Sequence, residues 1–176
     1  MVMTRAAPPA KEKYEVGVRL CFSQIAVKPG PFAQAKSCNY LPNVMMKKES
    51  VDRGFDFAIN KNSDGKIAEG PTENILVWTK SGDLIAPKFD YTLRGTTLVR
   101  VLELAREARD LLNIGAVDVG DLRDDDLFDA REVMMVGTTL EVMPATQIEN
   151  RKIADGRVGP LARQLRALLL RDISAE

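Results

Sequence analysis

The stretch from Thr96 to Leu112 constrains the architecture more than any other part of the chain. Val101, Leu102, Ala105, Ala108 and Leu112 recur at intervals of three and four residues, with charged residues on the opposite side, the pattern of a helix with one apolar face. Such a face has to be buried against another layer. The neighbouring runs supply that layer. Ile75 to Thr79, Leu84 to Ala86, Ala116 to Val119, Val133 to Val136 and Glu141 to Ile148 are short, apolar or alternating, and bounded by turn residues, as strands are.

The rest of the chain fits the same plan. Ala6 to Lys13 is rich in Ala, Pro and Lys and reads as a linker. From Tyr14 to Val27 a strand is expected, because Val16, Val18, Leu20 and Phe22 alternate before Ile25 and Val27, and Pro29-Gly30-Pro31 ends it. Leu41 to Arg53 reads as a helix stopped by Gly54. Phe55 to Asn60 reads as a short strand, Asn62 to Gly65 as a turn, and Ser81-Gly82-Asp83 as a hairpin connection. An acidic segment, Asp121 to Asp129, separates two strands, and an amphipathic helix from Leu161 to Arg171 closes the chain. No repeat or sustained heptad is present. The fold class expected is α/β or α+β, a mixed sheet packed by three main helices.

Composition narrows the chemistry. The 176 residues are 45% hydrophobic, enough to bury the core of one domain. Lys plus Arg and Asp plus Glu each total 25, so no charge excess favours nucleic acid. Histidine is absent, which removes Ser/His/Asp and Cys/His nucleophile systems and every His-ligated metal site; no metal is expected. Cys21 and Cys38 are too far apart for a CxxC pair and suit free thiols in a reducing compartment. The first eleven residues lack an apolar signal region, and no run approaches the ~18 apolar residues of a membrane span. A cytoplasmic location without membrane contact is the expectation.

Lys36-Ser37-Cys38-Asn39-Tyr40-Leu41-Pro42-Asn43 resembles the lysine segment of class IV, or fold type IV, pyridoxal-phosphate enzymes, the group of branched-chain and D-amino acid aminotransferases and aminodeoxychorismate lyase. Three more blocks follow in that family's order: Ala68-Glu69-Gly70-Pro71-Thr72-Glu73-Asn74, Leu93-Arg94-Gly95-Thr96-Thr97, and Gly137-Thr138-Thr139-Leu140-Glu141 with Pro144. The resemblance runs from Tyr14 onward and corresponds to the family's C-terminal, cofactor-binding domain, a mixed sheet or pseudo-barrel. On this reading residues 1–13 are a linker or the remnant of an interdomain segment, residues 14–176 are the cofactor-binding domain, and the family's N-terminal domain is absent.

The resemblance implies roles for particular residues. Lys36 would form a Schiff base with the aldehyde of pyridoxal 5'-phosphate and shuttle the substrate proton, work for a neutral amine, which burial beside cationic or apolar groups favours in a lysine. Glu69 would keep the pyridine nitrogen protonated so that the ring accepts electrons. Gly95, Thr96 and Thr97, where the long helix begins, and Gly137 and Thr138 would bind the phosphate through backbone amides and hydroxyls. Tyr40 would lie beside the cofactor, and Thr139 and Leu140 beside the substrate. Read without the resemblance, Lys36 and Glu69 are ordinary surface charges, Thr96 or Thr97 a helix cap, and Gly137-Thr138-Thr139 a turn. Trp78 reads as core or as a subunit contact.

The implied activity is amino-group transfer between an amino acid and a 2-oxo acid, in a homodimer. A lyase releasing pyruvate is the alternative within the family, and the Asn39-Tyr40 pair favours the transaminase. An alternative of another class is a non-catalytic domain that at most binds cofactor, since the family's N-terminal domain adds an arginine to the phosphate site and lines the substrate pocket. The chain departs from the family at Pro71, Leu76, Thr96 and Leu98, where a small, an aromatic, an aliphatic and a basic residue are usual.

Overall fold

Alternation along the central strands sends apolar side chains to both sides of a sheet. Strand β3 (Asn74–Trp78) directs Leu76 one way and Ile75 and Val77 the other, and β6 (Glu132–Gly137) separates Met134 and Val136 from Val133 and Met135 in the same manner. All seven are buried, so both faces are covered and no face is left for water. The computed structural model describes residues 9–175.

The other strands are β1 (Val18–Phe22), β2 (Phe57–Ile59), β4 (Leu84–Pro87), β5 (Val117–Gly120), β7 (Glu141–Ile148) and β8 (Arg151–Lys152). They form a mixed sheet in the order β2-β1-β7-β6-β3-β4-β5, with β8 paired to β7. The β1–β2, β1–β7 and β4–β5 ladders are parallel and the rest antiparallel. The sheet curls, because Ile59 and Ile67 beside β2 and Leu122 after β5 share one interior cluster. The Ile67 amide donates to the Leu122 carbonyl at 2.8 Å, so a loop contact joins the two edges. Mixed sheet and pseudo-barrel are thus two views of one object.

Helices α1 (Glu12–Val16), α2 (Leu41–Asp52), α3 (Thr96–Glu107), α4 (Arg109–Leu112), α5 (Asp124–Phe128) and α6 (Pro160–Ser174) pack around it. The apolar stripes of α3 (Leu98, Val101, Leu102, Ala105) and α6 (Leu161, Ala162, Leu165, Leu169) meet Leu76, Met134, Val136 and Val142 on the outer face. No side chain of its own caps α6 at Gly159; instead Glu132 of β6 accepts the Leu161 and Ala162 amides at 2.8 and 2.9 Å. Burial pushes the Glu132 carboxyl up against the pull of those two amides and of Arg163. The three longest helices, α2, α3 and α6, are those that the periodicity predicts.

Several local expectations change. The strand expected from Tyr14 begins only at Val18, after α1 and a break at Gly17, whose φ of 79° is left-handed and where a Cβ would collide with the Thr146 side chain. It also stops at Phe22, short of Val27. The helix expected from Thr96 to Leu112 divides at Ala108, and the turn lets Leu112 and Ile114 stay in the core while Leu111 faces solvent. Within the acidic run, α5 forms because Asp124 to Asp126 sit in its positive first turn, with Asp126 accepting the Arg123 amide at 2.7 Å. The linker reading of Ala6 to Lys13 lies outside the described residues up to Pro8, and α1 already begins at Glu12. Trp78 packs against the outer core cluster and donates to the Gly82 carbonyl at 3.0 Å.

Candidate active site

The register of the sheet brings distant blocks to one end of it. Asn74 pairs with Val136 and Gly137 with Glu141, so the turn that carries Glu69 and the turn from Gly137 to Glu141 lie side by side. Over this end passes the loop from Ser23 to Tyr40, which holds Lys28 and Lys36 and contains one turn of 3-10 helix at Gly30–Phe32. Lys28, Lys36 and Tyr40 from the loop, Glu69 and Glu73 from the turn before β3, Asn74 and Leu93 line a single cavity of about 40 Å³. The Lys28 and Lys36 ammonium nitrogens stand 5.8 and 5.9 Å from the centroid of the Tyr40 ring, within cation–π range.

Glu69 is fastened through one of its two oxygens. Its Oε2 accepts the Leu93 backbone N–H at 2.9 Å and the Asn74 side-chain amide at 3.3 Å, while its Oε1 has no hydrogen-bond partner among the described residues. Burial pushes its carboxyl up to about 7, against the downward pull of the Leu93 amide and of Lys28 and Lys36. A carboxylate near half-ionisation at neutral pH, with one free oxygen in a cavity shared with two lysines, is poised to meet a proton-bearing group. Two more acceptor or donor atoms on the cavity wall, Ser37 Oγ and Asn43 Oδ1, are buried without a partner.

Asn74 links this cavity to the start of α3. Its amide donates to both Glu69 and the Leu93 carbonyl, the latter at 2.8 Å, and its Oδ1 occupies the space beside Gly95 that a Cβ would need. Gly95 has φ −64°, so space and not backbone freedom demands glycine there. No side chain caps α3, and Val99 is the first residue whose amide returns to Gly95. The amides of Thr96, Thr97 and Leu98 therefore have no intrahelical acceptor. The Thr97 and Thr138 hydroxyls stand 3.1 Å apart, joining the third block to the fourth.

Thr138 and Thr139 are the corner residues of a β-turn closed by the Leu140 amide on the Gly137 carbonyl at 3.2 Å. Both threonines are exposed, whereas Leu140 is buried. Thr139 and Leu140 line a second, larger and mostly apolar groove of about 520 Å³ with Val18, Val44, Phe57 and Met143. Tyr40, Asn43, Pro71, Thr72 and Glu73 form the wall between groove and cavity. The groove's size falls in the range of small-molecule pockets.

The structure thus gathers Lys36, Tyr40 and Glu69 in one cavity, Thr139 and Leu140 in the adjoining groove, and Thr97 with Thr138 as a hydroxyl pair beyond Asn74. Gly95, Thr96, Thr97, Gly137 and Thr138 do not line the cavity itself. Lys36 is exposed, so the burial that sequence reasoning asks of its amine is not supplied by the described residues. Residues 1–148 match the family model described as "Amino-transferase class IV". The chain belongs to the class IV amino-transferase family.

Among its class IV relatives, the chloroplastic D-amino-acid transaminase of Arabidopsis thaliana is 37% identical over 159 residues, 90% of this chain and 43% of that protein. A probable branched-chain-amino-acid aminotransferase of Aquifex aeolicus is 35% identical, over 72% of this chain and 39% of that protein. The T.th. branched-chain amino acid aminotransferase solved with pyridoxamine 5'-phosphate superposes with a TM-score of 0.84 at 32% identity, covering 97% of this chain and 55% of that one. The chain spans about half the length of the class IV proteins it matches.

Three contributors to this cavity escape sequence reasoning. Lys28 is a lone lysine before Pro29 with no periodic signal. Glu73 and Asn74 sit inside a quoted block, and only burial, 8% and 7% exposed, marks them as more than turn residues. A polar side chain at the first position of an otherwise apolar strand is the available signal for Asn74.

Proposed function

We propose that this chain is the cofactor-holding part of a pyridoxal-phosphate-dependent aminotransferase that moves an amino group between an amino acid and a 2-oxo acid. The observation that carries the reading is Glu69, fixed by Leu93 and Asn74 through one oxygen and offering the other to a cavity shared with Lys36. The donor set suits this cofactor. A free carboxylate oxygen matches a protonated pyridine nitrogen, Ser37 and Asn43 of the cavity lining each carry a buried unpartnered oxygen, and open α3 amides beside the Thr97–Thr138 pair match a phosphate.

In this reading Lys36 would hold the cofactor through its amine, with Tyr40 beside it, Glu69 at the ring nitrogen, and Gly95, Thr96, Thr97, Gly137 and Thr138 at the phosphate. Bound pyridoxal phosphate supplies an electron sink for the pair left behind when a Cα proton departs. Lys36 Nζ would take that proton from the substrate and deliver it to the cofactor carbon that keeps the amino group. The Leu93 amide and the two lysines offset part of the burial that pushes the Glu69 carboxyl up. Thr139 and Leu140 border the groove where the substrate side chain lies, with apolar walls from Val44, Phe57 and Met143.

Residues 14–176 form the cofactor-binding domain in this proposal. A homodimer is supported by Phe32, Leu41, Val44 and Met45, apolar side chains that stay exposed around the start of α2. Cys21 and Cys38 are unbridged, which suits a reducing compartment such as the cytoplasm. No helix among the described residues is long and apolar enough to cross a membrane. The test is the absorption spectrum of the chain with pyridoxal phosphate beside Lys36→Ala, followed by an assay for 2-oxo-acid-dependent amine transfer. A bound-cofactor band lost in the variant, with transfer to the 2-oxo acid, is expected. Spectra showing only free cofactor in both proteins, or pyruvate release without transfer, overturn the proposal.

A further inference from the structure

Glu141 opens β7 in the left-handed region, at φ 54°, a conformation where glycine or asparagine is the usual choice. It directly follows the turn that holds Thr138 and Thr139. A charged residue kept in an unfavourable backbone state needs a compensating contact, and here the contact is specific. The Arg166 Nε of α6 donates to Glu141 Oε2 at 2.6 Å. The Arg166 guanidinium also lies 3.9 Å from the Tyr14 ring centroid, and the Tyr14 hydroxyl of α1 donates to the Leu140 carbonyl at 3.1 Å. Glu141, Arg166, Tyr14 and Leu140 therefore form a ring that ties both flanks of the turn's exit to two helices. A second tie between the helices, Arg163 to Glu15 at 3.5 Å, lies alongside.

We propose that Tyr14 and Arg166 are positioning residues that hold the Thr138–Thr139 corner in the geometry needed to bind an anionic group, the cofactor phosphate or a substrate carboxylate. The proposal rests on the function proposed above. The corner is fastened from both sides. Thr97 meets the Thr138 hydroxyl from α3, and the Tyr14–Arg166 ring fixes Leu140 and Glu141 beyond it. Without Arg166, Glu141 would relax out of the left-handed region and shift the Thr138–Thr139 corner that precedes it. The first and last helices of the described chain thus act on ligand binding without touching the ligand.

The test compares the full chain with Arg166→Met, Tyr14→Phe, Glu141→Gly and the double variant Glu141→Gly/Arg166→Met. Two readouts are taken: binding of pyridoxal 5'-phosphate against phosphate-free pyridoxal, and amide hydrogen exchange of Leu140. Arg166→Met is expected to weaken pyridoxal phosphate binding about tenfold with pyridoxal little changed, and to speed Leu140 exchange by a similar factor while α3 exchange stays constant. Tyr14→Phe gives a smaller loss of the same kind. Because glycine accepts the left-handed state unaided, Glu141→Gly should remove most of the further effect of Arg166→Met. Equal weakening of both ligands, or unchanged Leu140 exchange in Arg166→Met, overturns the inference. If the unaltered chain binds no pyridoxal phosphate, the proposed function fails, and the Leu140 exchange still decides the role of Arg166.

Discussion

Glu69, half-buried, and Glu132, buried, are carboxylates whose acidity is weakened by desolvation and restored in part by backbone amides, yet they do different work. Glu132 uses both oxygens on the first amides of α6 and has nothing left to offer. Glu69 uses one oxygen on Leu93 and Asn74 and keeps the other for the cavity. Each is framed by a glycine that admits no side chain: a Cβ at Gly159 would collide with Glu132, and one at Gly95 with Asn74. Burial and an elevated pKa therefore do not separate a fastening from a site. An acceptor left unused beside two lysines does.

Replacing Glu132 should do the most damage. Glu132→Ala leaves two buried amides unpaired at the start of α6 and is expected to cost about 3 kcal/mol in urea unfolding, with no loss of cofactor affinity beyond that due to unfolding. A cost below about 1 kcal/mol would show that water replaces the carboxylate and that the two glutamates differ less than their bonding suggests.

Glu69→Gln should move stability the other way, and only at higher pH. The folded carboxyl, at about 7, still holds a proton that the unfolded one releases near 4.5, so the stability of the unaltered chain falls as pH rises between these values and is level above. Removing the titration should leave stability unchanged near pH 4.5 and raise it by roughly 2 kcal/mol at pH 8. Persistence of the same slope in Glu69→Gln would assign it to another group.

The two glycines sharpen the comparison further. Gly159→Ala forces the buried Glu132 aside and is expected to cost about 2 kcal/mol. Gly95→Ala displaces the Asn74 amide, costs about 1 kcal/mol, and should weaken pyridoxal phosphate binding severalfold by freeing Glu69. Equal effects of the two substitutions on cofactor affinity would remove the distinction between fastening and site.

What the sequence makes legible follows from how local each signal is. The stripes of α3 and α6 and the apolar runs of β3, β6 and β7 are written within single segments, and the structure reproduces them. Lys36, Tyr40 and Glu69 stand out through ordered motifs, and the structure places all three on one cavity. The misses are contacts between segments. Glu132 reaches the start of α6 across 29 and 30 residues, and Tyr14 reaches Leu140 across 126. Lys28 joins the cavity only because its loop folds over the sheet's end. Gly17 hides inside an expected strand because the alternation of Val16, Val18 and Leu20 is indifferent to a left-handed residue between them.

The central claim is that Lys36, across the cavity from Glu69, is where pyridoxal phosphate attaches. Borohydride reduction of the chain after incubation with substoichiometric pyridoxal phosphate, followed by peptide mass mapping, tests it most directly. The account predicts a phosphopyridoxyl group confined to Lys36, with labelling lost in Lys36→Ala. Labelling of Lys28 in preference to Lys36, or spread over exposed lysines such as Lys48 and Lys80, would contradict it.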